Sequence, residues 1–260
     1  MKNIILPPVP EFDAWRRAAR DALAQNIHPS EITWNDGDDL FGAGTVAPAP
    51  ISHAPRTKVP SDFIDQARQA VCHADPGRYA LLYKMLWRIT RENRALMQWT
   101  TDDDVIALAR MVKSVRRDAY KIKAFLRFRE VGEKPGHFIA WYEPEHFTLG
   151  LSLPFFTTRF ANMNWSILTP YISAHWDADA QGLTLLPPQS KDTCPDDDAT
   201  EKHWLTYYSH IFNPARLKPK AMLAQMPRKY WRNMPETALI DGLMTGAHDR
   251  VQDMISKHKA

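Results

Sequence analysis

The sequence predicts an α+β fold, with helices packed on a mainly antiparallel sheet of about five strands. Three observations predict it. Up to about residue 125, apolar residues recur at three- and four-residue spacing, the period of helices with one buried face. Beyond it, several short segments alternate apolar and polar residues with period two. Those segments are separated by Gly, Pro, Asn and Asp, which suits antiparallel strands joined by tight connections. One domain over 1–260 is expected, with an irregular loop at 35–58.

Residues 11–25 predict an amphipathic helix with Trp15, Ala18, Ala22 and Leu23 on one face and Asn26 at its end. Residues 32–34 suit a short strand. From 35 to 58, Gly, Pro, Ala and Asp accumulate without any period. Ser61 is a plausible N-cap for a helix over 61–73. Asp75, Pro76 and Gly77 interrupt it, and a strongly apolar helix follows over 78–93 with Leu81, Leu82, Met85, Leu86 and Ile89 as its core stripe. Thr101 reads as the N-cap of the next helix, whose Asp102, Asp103 and Asp104 suit the positive end of the helix dipole. Val105, Leu108, Val112, Val115, Ala119 and Ile122 fall within one sector of that helix. Strands are expected over 125–131, 137–142, 165–169, 173–176 and 183–186. Further helices are expected over 152–163, 200–212 and 235–257.

Charge is unevenly distributed. Residues 110–129 hold eight Lys or Arg against Asp118 alone, or +7; residues 213–232 hold six and no acid, or +6. The whole chain is only +3, so the remainder is 3 − 13 = −10. Segregated positive charge favours a polyanionic partner, nucleic acid first. With 44% hydrophobic residues the chain can bury a sizeable core, and no apolar run nears the length of a membrane span. No membrane partner is expected. The first twelve residues lack the pattern of a signal peptide, so a cytoplasmic location is expected. Two cysteines, Cys72 and Cys194, cannot hold a Cys-ligated cluster within one chain, and Cys72 reads as a small core residue. GxGxxG and GxxxxGK[ST] are both missing, which disfavours dinucleotide-binding and P-loop folds. No cofactor is expected.

Several constellations suit chemistry. Glu143, Glu145 and His146 follow the predicted strand over 137–142 around Pro144, as an acid–base pair, as metal ligands, or as a polar turn. His175 and Asp177 are two apart on another strand and so share a side. A joint site of these five residues needs the two strand ends to meet. Arg159 suits a phosphate, and Asn162 or Asn164 a base edge or a turn. Tyr207, Arg216, Lys229, Trp231 and Arg232 belong to two blocks in which aromatics interleave with cations, a composition that suits base stacking beside phosphate pairing.

RYALLYKMLWRIT, MVKSVRRDAYKIKAFLRFREV, WYEPEH, PFFTTRFANMNWSILTP, AHWD, YYSHIFNPARLKPKAM and MPRKYWRNMPE resemble a bacterial family of unknown function that is associated with DNA repair or DNA metabolism. The similarity runs from about residue 10 to about residue 251. Members of that family are typically encoded beside a radical-SAM protein or fused ahead of a uracil-DNA-glycosylase-like module. The resemblance implies DNA as one partner and a separate radical-SAM protein as another, which would perform any redox step. Asn164 stands where a basic residue is usual in such relatives, and no glycosylase-like module is expected in this chain.

The expected function is DNA binding in support of repair or base modification. Arg110, Lys113, Arg116, Arg117, Lys121, Arg127 and Arg129 would hold phosphates; Tyr207, Trp231 and Arg232 would contact bases or backbone. Two alternatives stand beside it. One is a DNA-processing enzyme, a glycosylase or nuclease, using Glu143, Glu145, His146, His175 and Asp177. The other is an interaction subunit whose basic surface docks an acidic protein.

Overall fold

A computed structural model describes residues 1–36, 45–46, 58–132, 134–194, 205 and 219–245. The chain divides into two compact units, residues 1–120 with 144–153, and residues 121–143 with 154–260. Two of the passages from one unit to the other lie inside helices.

In the first unit, β1 (Lys2–Leu6) lies at the centre of a parallel sheet between β2 (Ile32–Asp36) and β3 (Thr45–Val46). The sequence reading missed β1, because five residues ahead of two prolines show no alternation of their own. Its partner β2 lies beyond α1 (Phe12–Ala24), a crossover of the kind parallel strands need. The end of β2 and all of β3 fall in the stretch expected to be an irregular loop; residues 37–44 and 47–57 lie outside the described residues. Helix α1 ends as expected at Asn26, which takes φ 55°. The Asn26 amide donates to Leu23 and the Ile27 amide to Ala22, the paired bonds of a Schellman ending.

Helix α2 (Ser61–Ala70) begins at Ser61, so Pro60 and not Ser61 is the capping position. Helix α3 (Arg78–Arg91) buries Tyr79, Leu82, Tyr83, Met85, Leu86 and Ile89 in one core with Trp15, Phe63 and Leu108. Helix α4 (Asp103–Phe125) buries all six residues of its predicted apolar sector. Its cap is Asp102 rather than Thr101: Asp102 Oδ1 accepts the amides of Asp104 at 3.0 Å and Val105 at 3.3 Å. These are donors of the first helical turn that have no partner within the helix itself.

The second unit holds a five-stranded sheet in the order β4 (Arg129–Glu130), β5 (His137–Trp141), β6 (Asn164–Leu168), β7 (Ser173–Asp177), β8 (Gly182–Leu186). Three pairings are antiparallel and β5–β6 is parallel, with α5 (Leu149–Arg159) in the crossover. The expected strand over 125–131 is reduced to Arg129 and Glu130. The Leu126 amide still donates to Ile122, so helical bonding runs past the point where alternation begins. Trp165 and Trp176 face each other across β6 and β7 and stack at 6.3 Å, with Phe156 against Trp165. Two short helices, α6 (Pro219–Gln225) and α7 (Ala238–Thr245), follow. The helix expected over 200–212 lies outside the described residues except Leu205, and that over 235–257 is described only to 245.

Candidate nucleic-acid interface

The α4 ridge begins from a fixed end. Arg88 donates to Asp102 at 2.6 and 3.0 Å and to Asp104 at 2.7 Å, and Lys84 reaches Asp104 at 2.8 Å. The Arg88 bond holds the Asp102 carboxyl down at about 2, against the opposing effect of burial. From that anchored turn the outer face of α4 presents Arg110, Lys113, Arg116 and Arg117, all exposed. Arg116 donates from Nε to Gln69 Oε1 at 2.6 Å, which holds its stem along the surface. Tyr120 follows on the same face with 71% of its surface exposed, an aromatic ring among cations.

Other cations expected at phosphates have inward duties. Lys121 is 7% exposed, with its ammonium 5.1 Å from the centre of the Tyr230 ring. Arg127 donates twice to Glu236 Oε1, at 2.7 and 3.1 Å, and to the carbonyls of Ala124 and Leu126. The sequence reading expects Lys121 at a phosphate; Tyr230, 109 residues further on, covers it instead. Lys229 is exposed above the same Tyr230 ring, and Tyr230 itself stacks on Tyr142 at 5.7 Å. Trp231 is half-buried, donates from its indole to the Met226 carbonyl at 3.0 Å, and lies under Arg228. Arg159 is exposed beside Phe160, and Asn164 accepts the Ala178 amide at 2.7 Å. Tyr207 and Arg216 lie outside the described residues.

A cavity of about 230 Å³ opens in the second unit. Arg129 lies opposite Ile139 in the β4–β5 ladder, and Trp141 is two residues beyond, so all three share one face of the sheet. Lys191 and Arg232, carried on short 3-10 turns, complete a wall with Arg127. Glu143 accepts the Trp141 indole N–H at 2.8 Å and pairs with Arg232. Cys194 lines the same cavity; burial pushes its thiol up to about 11, although Arg129 and Lys191 pull it down.

The acidic and imidazole residues divide between the two units. In the first, buried Asp118 accepts the amides of Glu145 at 3.2 Å and His146 at 3.1 Å and the Thr148 hydroxyl at 2.7 Å. His146 accepts the Ala74 amide on Nδ1 at 3.2 Å, so the neutral ring carries its proton on Nε2 and donates it to Ser114 Oγ at 2.8 Å. His73 packs against that ring and accepts the Asp75 amide on its own Nδ1. Burial holds both imidazoles below their usual range, and Asp118 opposes this at His146. In the second unit, Glu143 serves Trp141 and Arg232, His175 Nδ1 meets Ser166 Oγ at 3.0 Å, and Asp177 accepts the Asp179 and Ala180 amides in a turn. Among the described residues, no three His, Cys, Asp or Glu side chains are grouped to hold a metal ion. Sequence reasoning missed His73, Ser114 and Asp118. Asp118 was visible as the one acid in the basic run; His73 carried no signal.

A family described as a domain of unknown function, DUF4130, matches residues 76–236. The matched span contains α3, α4, the whole five-stranded sheet and every cation of the ridge and of the cavity wall. No curated protein and no solved structure matches the chain.

Proposed function

The chain belongs to this DUF4130 family, and from that premise we propose that it binds DNA in support of repair or base modification. The α4 ridge carries the reading. Arg110, Lys113, Arg117 and Tyr120 follow one another at helical spacing on an exposed face. They extend over ten residue steps, about 15 Å, the axial rise of roughly four base steps along one strand. Arg110 and Lys113 have no carboxylate partner among the described residues. Exposed cations beside an exposed ring suit phosphate pairing with a stacking platform, in single-stranded DNA above all. A redox step, where the biology requires one, belongs in this reading to a separate radical-SAM partner.

The test is a binding titration of the full chain with single-stranded and duplex oligonucleotides at several salt concentrations. Substitution R110E/K113E lowers the slope of log affinity against log salt by about 0.7 for each phosphate of a single strand that is no longer neutralised. Tyr120→Ala weakens single-stranded binding with the slope unchanged. Wild-type affinity that is missing for every oligonucleotide at low salt overturns the reading.

A further inference from the structure

We propose that the cavity beside β4 and β5 is a receptor for a phosphomonoester, and that in the DNA reading its ligand is the phosphorylated end of a strand. The cavity stands on its own geometry; only the identity of the strand rests on that reading.

The wall is unusual in charge. Arg127, Arg129, Lys191 and Arg232 all line a space of about 230 Å³, and no described lining residue is an acid. Glu236 and Glu143 offset two of these four charges, and the wall still offers cationic N–H donors to a compact anion. Two of the guanidinium groups are fixed from behind: Arg127 by Glu236, which is itself 3% exposed, and Arg232 by Glu143. Glu143 is in turn held by the Trp141 indole. The donors are therefore set in position before a ligand arrives, which lowers the ordering cost of binding. Cys194 stays a neutral thiol at this wall, so it adds no competing negative charge.

The size and charge select the ligand class. The volume is below the roughly 300 Å³ at which drug-sized ligand sites begin, so it suits a compact group. A phosphomonoester carries about −1.5 to −2 at neutral pH and offers three terminal oxygens, and arginine forks pair such oxygens two at a time. An internal phosphodiester carries one charge, offers two free oxygens and must leave the cavity in both directions. A terminal phosphate needs only one exit.

The experiment compares a 5′-phosphorylated with a 5′-hydroxyl single-stranded oligonucleotide by fluorescence anisotropy. In parallel, calorimetry measures a deoxynucleoside 5′-monophosphate and inorganic phosphate. The phosphorylated oligonucleotide is expected to bind at least about tenfold more tightly, the worth of one charge-assisted hydrogen bond. Lys191→Gln, on an exposed turn, and Arg129→Gln each abolish that preference, while R110E/K113E weakens both oligonucleotides alike. Binding of the monophosphate without any oligonucleotide supports the cavity and sinks the DNA reading. Oligonucleotide binding with no preference for a phosphorylated end, and no monophosphate binding, sinks the cavity proposal and leaves DNA binding standing.

Discussion

The imidazole rings of His73 and His146 lie 4.2 Å apart, centre to centre, and each accepts a backbone amide on Nδ1. Both rings are thereby required to be neutral. A proton on either Nδ1 would break a bond to the backbone and place a cation against its neighbour.

Stability should therefore depend on pH in one direction. The folded pKa of each ring is lowered below the ordinary 6.5. Below that value the unfolded chain binds more protons, so stability is full above about 6.5 and falls as pH drops toward the folded values. The urea midpoint should be lower at pH 5 than at pH 7.5, and His146→Gln should flatten the difference. A wild-type midpoint that does not move with pH contradicts this account.

Asp118 is 1% exposed and anchors three donors from the segment 145–148. Asp118→Ala leaves those donors without their acceptor inside the first unit. A loss of about 2–4 kcal/mol is expected from denaturant unfolding, since each orphaned buried donor costs about 1–3 kcal/mol. Asp118→Asn, which keeps one acceptor oxygen, should lose less. Equal stability of D118A and wild type would show that the segment is held by something else.

The Arg127–Glu236 pair invites a double-mutant cycle. Removing the arginine alone leaves a buried carboxylate, a change that typically costs about 3–5 kcal/mol. Glu236→Gln in the same chain removes the stranded charge, so R127A/E236Q should be more stable than R127A. If the two effects simply add, the pair is not the support that its 2.7 Å geometry implies.

Asp102 combines an N-cap with a bond to Arg88. Asp102→Ala should lower stability by about 0.5–2 kcal/mol at neutral pH through the lost cap. The carboxyl titrates at about 2 when folded, below its ordinary 3.8, so its contribution is present above 3.8 and fades as pH falls toward 2. The gap between wild type and D102A, followed by thermal unfolding, should close in strong acid. A gap that persists at pH 2 would assign the effect to packing.

The elements legible in the sequence are those whose signal is local. The apolar sector of α4, the strands from β5 to β8 and the turn at Asn26 each follow from spacing within one segment. β1 was illegible because its evidence lies in a partner about thirty residues away, and β4 was overextended because alternation continued from a helix end. The α4 ridge was readable from charge and period together. The inward turn of Lys121 was not, because Tyr230 decides it. His73 entered the imidazole pair only when the 144–148 segment folded back on the turn after α2, which spacing does not reveal.

Because residues 144–153 complete the unit begun by 1–120, neither half of this molecule is a continuous stretch of chain. During synthesis Asp118 leaves the ribosome well before the amides it will anchor, so the amino-terminal half must wait while strands of the other half, β4 and β5, emerge. No single truncation point can release either half intact, and a fragment ending at residue 120 should be a poor folder that aggregates until the missing decapeptide is supplied.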